Sequence, residues 1–188
     1  MSAIPAFEIG VWNAWIFIVP YLLFNFGLTF LTIDRKSIFW HFPSYTKVER
    51  ISLFTWYLIM VGLWIYSIFL PLNISTAWFY AGLFVYLLGW ILLISAMMVF
   101  MTTPVDKPNT TGIYRFSRHP WYLGMLVVYF GAGIASASWV YLLLALLYLG
   151  MYRNALFIPE ERMCCERFGD AYREYMNRTP RWVGVPKS

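Results

Sequence analysis

The sequence predicts an all-α integral membrane protein, with about five transmembrane helices followed by a C-terminal amphipathic helix. Of its 188 residues, 61% are hydrophobic and 21% are aromatic. Only 12% are charged, whereas soluble domains carry about 25% charged residues. These charges gather in a few short segments between long apolar runs. The pattern predicts one membrane domain that covers residues 1–188.

The first three predicted spans are long runs without charge. A helix that rises 1.5 Å per residue needs about 20 apolar residues to cross a bilayer core of about 30 Å. The first run contains Pro20 and Gly27, which membrane helices tolerate when neighbouring helices cover the backbone. A basic loop at 34–50 follows the first run, and a short polar turn at 71–76 follows the second. The three runs are residues 11–33, 51–70 and 77–101.

The fourth predicted span, residues 121–135, is short. As a helix it would measure about 22 Å, less than a full crossing. It follows a second basic loop at 102–120, and residues 139–158 then return as a fifth span with Arg153 as its one charge. If the end of this short helix reaches the outer surface of the membrane, its start must lie below the opposite surface. Polar backbone at that depth must line protein or a water-filled pocket, so we expect a cavity there.

The last predicted element is one amphipathic helix over residues 160–177. Phe168, Tyr172 and Tyr175 follow the i, i+4, i+7 spacing of a single helix face. The helix is expected to end at Thr179-Pro180, because proline stops helices.

The basic residues predict the orientation. The loops 34–50 and 102–120 and the tail 153–188 fall on one side of the five spans, which the positive-inside rule makes cytoplasmic. The N-terminus should therefore lie outside and the C-terminus in the cytoplasm. No basic segment precedes the first span, so we expect no cleavable signal peptide. The membrane is expected to be a prokaryotic plasma membrane, or the endoplasmic reticulum if the source is eukaryotic.

Composition also argues against some partners. The net charge of +5 is explained by the basic loops, so we expect no nucleic-acid partner. Cys164 and Cys165 are adjacent and His41 lies in a basic loop. This arrangement lacks the spacing of a zinc site, and we expect no metal.

Two polar clusters stand out at the predicted membrane boundary. The first contains Arg115, Arg118 and His119, and the second is the pair Glu160-Glu161. Ionisable groups are costly there, which makes them candidates for function. Basic groups on one wall and carboxylates on the other would suit a ligand that carries both charges, such as an amino acid. Alternatively, the arginines only satisfy the positive-inside rule, and the glutamates are ordinary charges at a helix start.

The motif Gly112-x-Tyr114-x-x-x-Arg118-His119-Pro120-x-Tyr122-x-Gly124, followed by Glu160-Glu161, resembles the isoprenylcysteine carboxyl methyltransferase family and its phospholipid methyltransferase relatives. The segments 168–175 and 179–181 are similar to the C-terminal tail of that family. The resemblance covers residues 102–183. It implies an integral membrane methyltransferase that uses S-adenosyl-L-methionine, releases S-adenosyl-L-homocysteine and takes a lipophilic acceptor from the bilayer.

The resemblance also implies roles for individual residues. His119 with Glu160 or Glu161 would hold the methionine part of the donor, Tyr122 and Gly124 would shape the wall, and the loop 104–114 would close over the adenosine. The candidate catalytic residues are Glu160, Arg153 and Tyr122. The candidate cofactor-binding residues are Gly112, Ile113, Tyr114, Arg118, His119, Pro120, Tyr122, Gly124, Glu160 and Glu161.

The chain departs from the carboxyl methyltransferases at one position. Those enzymes carry an arginine four residues before the first glutamate, suited to gripping an acceptor carboxylate, and this chain has Leu156 there. Arg153 is the nearest arginine and could reach a related site one turn deeper. Equally, the acceptor could have no carboxylate and could instead be a lipid amine, thiol or hydroxyl.

Two alternative functions stay open on the sequence alone. One is an NADPH-dependent membrane reductase related to sterol reductases, although the chain shows no dinucleotide-binding fingerprint. The other is a small membrane protein without enzymatic activity. The sequence shows no inverted repeat of the kind found in many transporters.

Overall fold

The computed structural model describes residues 9–31 and 44–185, and these residues are mainly helical. The elements are α1 (Trp15–Leu31), α2 (Lys47–Ser67), α3 (Ala77–Thr102), a short 3₁₀ helix (Gly112–Arg115), α4 (Pro120–Ala135), α5 (Trp139–Tyr152), a π-helical turn (Arg153–Phe157), α6 (Ile158–Phe168) and α7 (Asp170–Arg178). Within the described ranges the all-α prediction is confirmed. Residues 1–8, 32–43 and 186–188 lie outside them, and with them His41 and most of the first basic loop.

Three helices are long and apolar enough to cross a membrane: α2, α3 and the continuous helical stretch Trp139–Phe168. Two further apolar helices, Trp15–Gly27 and Pro120–Ala135, are shorter. These helices indicate an integral membrane protein. The count of five spans and the orientation stay predictions.

The first turn of α2 corrects the predicted loop at 34–50. The Thr46 hydroxyl accepts a hydrogen bond from the Glu49 N–H at 3.4 Å, and the Thr46 N–H donates to Glu49 Oε2 at 2.8 Å. This reciprocal pair is a capping box, which satisfies two backbone donors and starts the helix at Lys47. Residues 47–50 are therefore helical, and α2 ends at Ser67 rather than at residue 70.

Backbone pairing sets the start of α1. The Ala14 N–H donates to the Leu70 carbonyl at 2.8 Å, and the Leu72 N–H donates to the Trp12 carbonyl at 2.8 Å. These bonds hold residues 12–14 in an extended pairing with residues 70–72. The helix α1 therefore begins at Trp15 and not at residue 11 as predicted.

Helices α3 and α4 pack with their backbones in close contact. A Cβ atom built on Gly82 would lie 2.2 Å from the backbone nitrogen of Ala135. One built on Gly131 would lie 2.6 Å from the Cα atom of Tyr86. Small residues permit such close approach between membrane helices. The packing fixes α4, which carries the predicted site motif at its start.

The stretch from α5 to α6 corrects two predictions. Pro159 has no N–H, and its ring disfavours a regular α-turn at this point. The Ile158 N–H instead donates to the carbonyl of Arg153, which makes a π-helical turn. The helix therefore does not end at residue 158. Glu160 and Glu161 therefore do not sit at a free helix N-terminus, where the helix dipole would favour carboxylates.

The predicted amphipathic helix 160–177 is also interrupted. Gly169 has a φ of 56°, in the left-handed region, and separates α6 from α7. This backbone conformation is easy for glycine and strained for other residues. The break turns α7 back, so that the Tyr175 hydroxyl donates to the Tyr114 carbonyl at 2.7 Å.

We predict that Gly82→Val lowers the melting temperature of the protein in detergent. The added side chain would force α3 and α4 apart, and overpacking of this kind costs about 1–3 kcal/mol. Gly62→Ala is the matched control, because a Cβ atom there meets nothing within 4 Å. Equal melting temperatures for Gly82→Val and wild type would show that α3 and α4 are not in this close contact.

Candidate active site

The candidate site lies where the loop before α4 meets the start of α6, and His119 is at its centre. His119 caps α4 ahead of Pro120, and only 2% of its surface is exposed. The backbone N–H of His119 donates to the Ser117 hydroxyl at 3.1 Å. Its ring stacks on Phe157, with 4.1 Å between ring centroids and 9° between the planes. The π-helical turn that contains Phe157 thus supports one face of the imidazole.

The ring nitrogens of His119 lie between two carboxylates. Nε2 lies 3.1 Å from Glu161 Oε1, and Nδ1 lies 3.3 Å from Glu160 Oε2. Burial lowers the pKa of His119, but the two carboxylates outweigh this effect and raise the pKa above its usual value. The charged imidazolium is therefore the favoured form, with both nitrogens carrying protons.

Glu161 is surrounded by positive charge. Its side chain lies 3.1 Å from Arg118 Nη1, in addition to His119. Arg181 donates from Nε to Oε1 at 3.0 Å and from Nη2 to Oε2 at 2.6 Å. Glu161 is only 4% exposed, and a buried carboxylate needs such compensation. Its oxygens are occupied by protein groups, so it acts as the anchor of the site.

The C-terminal segment supplies Arg181 by running beside residues 116–118. The Arg118 N–H donates to the Pro180 carbonyl at 3.0 Å, and the Gly184 N–H donates to the Phe116 carbonyl at 3.0 Å. The sequence pattern Thr179-Pro180-Arg181 suggested a family-like tail but gave Arg181 no role. Its partner lies 20 residues away in the chain, and no helical spacing indicates that contact.

Glu160 differs from its neighbour. Its side chain is 38% exposed, although its Oε2 lies 3.3 Å from His119 Nδ1. It lines a cavity of about 140 Å³, here called the polar cavity, together with Tyr114, Arg118, Asn109 and Tyr172. Among the described residues, Arg118 Nε is buried without a hydrogen-bond partner. A partly exposed carboxylate and a guanidinium with one unsatisfied N–H therefore line one cavity.

A second cavity of about 280 Å³, here called the apolar cavity, lies among α1, α2 and α4. Its lining includes Tyr21, Leu22, Asn25, Trp56, Met60, Trp64, Trp121, Tyr122 and Met125. Tyr122 lies beside both this cavity and His119. It lines the apolar cavity, and its ring centroid lies 5.9 Å from that of His119. It also interacts electrostatically with Glu160.

The remaining predicted residues fall into two groups. Gly112, Ile113 and Tyr114 form the 3₁₀ helix, and Tyr114 lines the polar cavity. A Cβ atom on Gly112 would lie 2.8 Å from Val99 of α3, which explains the glycine at a φ of 56°. Pro120 begins α4.

Gly124 and Arg153 do not line these two cavities. A Cβ atom on Gly124 would lie 2.8 Å from Leu93, which places this glycine in the contact between α3 and α4. Arg153 is exposed at the first position of the π-helical turn. The structure therefore brings together Tyr114, Arg118, His119, Tyr122, Glu160 and Glu161, and leaves Arg153 outside that group.

Sequence comparison defines the class of protein. A sequence model of the phospholipid methyltransferase family matches residues 51–171, and the chain belongs to this family. The resemblance stated from the motif is thereby confirmed. No solved structure matches the chain significantly.

Two curated relatives are similar to part of the chain. Protein-S-isoprenylcysteine O-methyltransferase of Schizosaccharomyces pombe is 32% identical over 77 residues, which make up 41% of this chain and 32% of that protein. Methanethiol S-methyltransferase 1 of Bradyrhizobium diazoefficiens is 38% identical over 73 residues, 37% of this chain and 24% of that protein. Each match spans a third or less of the relative's own length. Family and relatives together indicate a membrane methyltransferase.

We predict that the pH dependence of stability reports the charged state of His119. Because its pKa is raised in the folded protein, its contribution is complete below the ordinary histidine pKa of about 6.5 and is lost as the pH rises through the folded value. As the pH rises from about 6.5 through the folded pKa of His119, the melting temperature of the wild type should therefore fall. The melting temperature of His119→Gln should fall less over the same pH range. The control His41→Gln, at the other histidine of the chain, should keep the wild-type slope. A wild-type slope in His119→Gln would contradict the assignment.

Proposed function

We propose that this protein is an S-adenosyl-L-methionine-dependent methyltransferase that modifies a lipophilic acceptor taken from the bilayer. The observation that carries the proposal is that Glu160 and Arg118 line one polar cavity, while an apolar cavity lies between the helices. Membership of the phospholipid methyltransferase family supports the same reaction and favours it over the reductase alternative.

The polar cavity fits the amino-acid part of the donor. S-adenosylmethionine carries an α-ammonium and an α-carboxylate, and the cavity offers the partly exposed carboxylate of Glu160 and the unsatisfied Nε–H of Arg118. A buried polar group without a partner costs about 1–3 kcal/mol, so a ligand carboxylate would recover stability at Arg118 Nε, while the ligand ammonium pairs with Glu160. This match is between charges and does not depend on the fold family.

The size of the polar cavity indicates which part of the donor it holds. Its volume of about 140 Å³ is below the roughly 300 Å³ at which pockets for drug-sized ligands begin. Lys107, Pro108 and Asn109, between α3 and the 3₁₀ helix, form part of the wall. This supports the prediction that the loop 104–114 contacts the adenosine, with the methionine part bound beside Glu160.

The two glutamates have separate tasks in this proposal. Glu161 is held by Arg118, His119 and Arg181 and keeps the loop, the helix and the tail together. Glu160 binds the ammonium group of the donor. His119 is charged and lies between both carboxylates, so it orients Glu160 and does not serve as a base.

When bound, S-adenosylmethionine supplies an electrophilic methyl group and leaves as S-adenosylhomocysteine. The protein residues have to align the acceptor with that group and exclude water. Such alignment is worth up to about 7–11 kcal/mol. Tyr122 lines the apolar cavity, and its ring centroid lies 5.9 Å from that of His119, so it is the residue we assign to the contact between donor and acceptor.

The apolar cavity supports a lipophilic acceptor. Its described lining contains aromatic residues, Leu, Met and Asn25 and no charged side chain. By their names, the two relatives act on isoprenylcysteine oxygen and methanethiol sulfur. An acceptor carboxylate would need a positive partner, and Arg153 lies outside the cavity. We therefore favour a lipid-like thiol, amine or hydroxyl over a carboxylate, with the site facing the cytoplasm.

We predict that Glu160→Gln and Glu161→Gln fail in different ways. Glu160→Gln should fold normally and lose about 10–100-fold in affinity for S-adenosylhomocysteine, because a hydrogen bond to a charged group is worth about 1.5–3 kcal/mol. Glu161→Gln should lower the melting temperature first, since removing one partner of a buried ion pair costs about 3–5 kcal/mol. Calorimetry and thermal unfolding in detergent measure both. Unchanged affinity in Glu160→Gln would remove this residue from the donor site.

We also predict that Leu22→Trp weakens acceptor binding without affecting the donor. Leu22 lines the apolar cavity, so a larger side chain should raise the KM of the acceptor. Initial rates with farnesylcysteine, dodecanethiol and dodecylamine test this. Leu23→Trp is the matched control. Leu23 is the neighbour of Leu22 on α1, is 67% exposed and does not line the cavity. Equal KM values in the two variants would exclude the apolar cavity as the acceptor site.

A further inference from the structure

A third cavity, here called the arginine cavity, is lined by residues of the 3₁₀ helix and α7. Its volume is about 400 Å³, larger than that of the polar cavity or the apolar cavity. Among the described residues, it shares Tyr175 alone with the polar cavity and none with the apolar cavity. It therefore lies outside the donor and acceptor sites proposed above. The residues that decide its chemistry are Thr110, Arg115, Glu174, Arg178 and Thr179.

The arginine cavity carries a net positive charge. Arg115 is exposed at the last position of the 3₁₀ helix, and its guanidinium makes no ion pair or hydrogen bond within residues 9–31 and 44–185. Arg178 donates to Glu174 one turn earlier on α7, and both side chains are 63% exposed. An exposed pair of this kind contributes little to stability, so Arg178 is available to a ligand. The lining thus holds two guanidinium groups and one carboxylate.

These groups suit a phosphate. Arginine presents its N–H donors in a planar fork that matches two phosphate oxygens, and such charge-assisted hydrogen bonds are strong. Thr110 and Thr179 add hydroxyl groups that can donate to further oxygens. A cationic ligand fits less well, because Glu174 is already paired with Arg178. The volume lies within the range of about 300–1,000 Å³ for ligand pockets, so a phosphate fits together with its substituent.

Exposed apolar side chains border the arginine cavity. Phe116 follows Arg115 and is half exposed. The Gly184 N–H donates to the Phe116 carbonyl at 3.0 Å, which brings Val183 and Val185 close to this edge, and both are exposed. A basic pocket beside exposed apolar residues is typical of a surface that meets lipid headgroups. This apolar rim therefore favours a lipid as the source of the phosphate.

We propose that the arginine cavity binds a phosphate group through Arg115 and Arg178, separately from the methyltransferase site. A lipid headgroup and free phosphate share this chemistry, and the apolar rim predicts that the lipid binds more tightly. Arg115 then has a ligand of its own, beyond its contribution to the positive-inside rule. The inference does not depend on the proposed methyl transfer.

The test measures ligand binding by calorimetry with the full chain in an uncharged detergent. The probes are dioctanoyl phosphatidic acid, inorganic phosphate and dioctanoylglycerol, which has the same acyl chains without the phosphate. Wild type should bind the phosphatidic acid and should bind inorganic phosphate about 10-fold more weakly, a difference of about 1.4 kcal/mol. Dioctanoylglycerol should show no saturable binding.

Variants of the lining locate the site. Arg115→Gln and Arg178→Gln should each weaken binding of the phosphatidic acid about 10-fold, because a hydrogen bond to a charged group is lost. Arg115→Lys should have a smaller effect, since lysine keeps the charge without the bidentate geometry. Arg50→Gln is the matched control, because Arg50 is an exposed arginine on α2 that does not line the cavity. It changes the net charge equally and should bind as wild type.

The remaining outcomes are also decisive. An affinity in Arg115→Gln or Arg178→Gln equal to that in Arg50→Gln would overturn the proposal, and a phosphate bound at Arg118 instead would give this result. Equal binding of the phosphatidic acid and dioctanoylglycerol would also overturn it, because recognition would not involve the phosphate. Equal affinities for inorganic phosphate and the phosphatidic acid, both weakened in Arg115→Gln, would support the phosphate site and assign it to free phosphate.

Discussion

The structure of the site depends on one buried carboxylate, that of Glu161. Arg118 reaches it from the loop before α4, His119 from the start of α4, and Arg181 from the C-terminal tail. A buried charge is tolerated only when it is paired and hydrogen-bonded. The three basic groups are therefore held in place by the same requirement, and residues 118–119, α6 and the C-terminal tail meet at one point.

This arrangement leaves Glu160 available. Successive residues on a helix point about 100° apart, at 3.6 residues per turn. Glu161 thus faces the basic groups while Glu160 lines the polar cavity. Two adjacent acidic residues of the same type can then serve different purposes, one in structure and one in ligand binding. The π-helical turn before them contributes Phe157, whose ring supports His119.

Much of this could be predicted from the sequence, and the exceptions have physical reasons. Apolar runs indicated the helices, and charges at the membrane boundary indicated Arg118, His119 and the glutamate pair. The break at Gly169 was missed because helical periodicity continues across it. The continuous helix through Pro159, with its π-helical turn, was missed because proline usually ends a helix. Arg181 was missed because its partner, Glu161, lies on another segment. The pattern also could not show that Gly124 packs on α3 and that Arg153 is exposed.

The most direct test of the account is an experimental structure of the protein with S-adenosylhomocysteine bound, in a lipid or detergent environment. We expect the ammonium group of the ligand beside Glu160 and its carboxylate beside Arg118, with Glu161 still bound to Arg181. The sulfur should face Tyr122 and the apolar cavity. A ligand located elsewhere, or bound without contact to Glu160 and Arg118, would contradict the assignment of the polar cavity as the donor site.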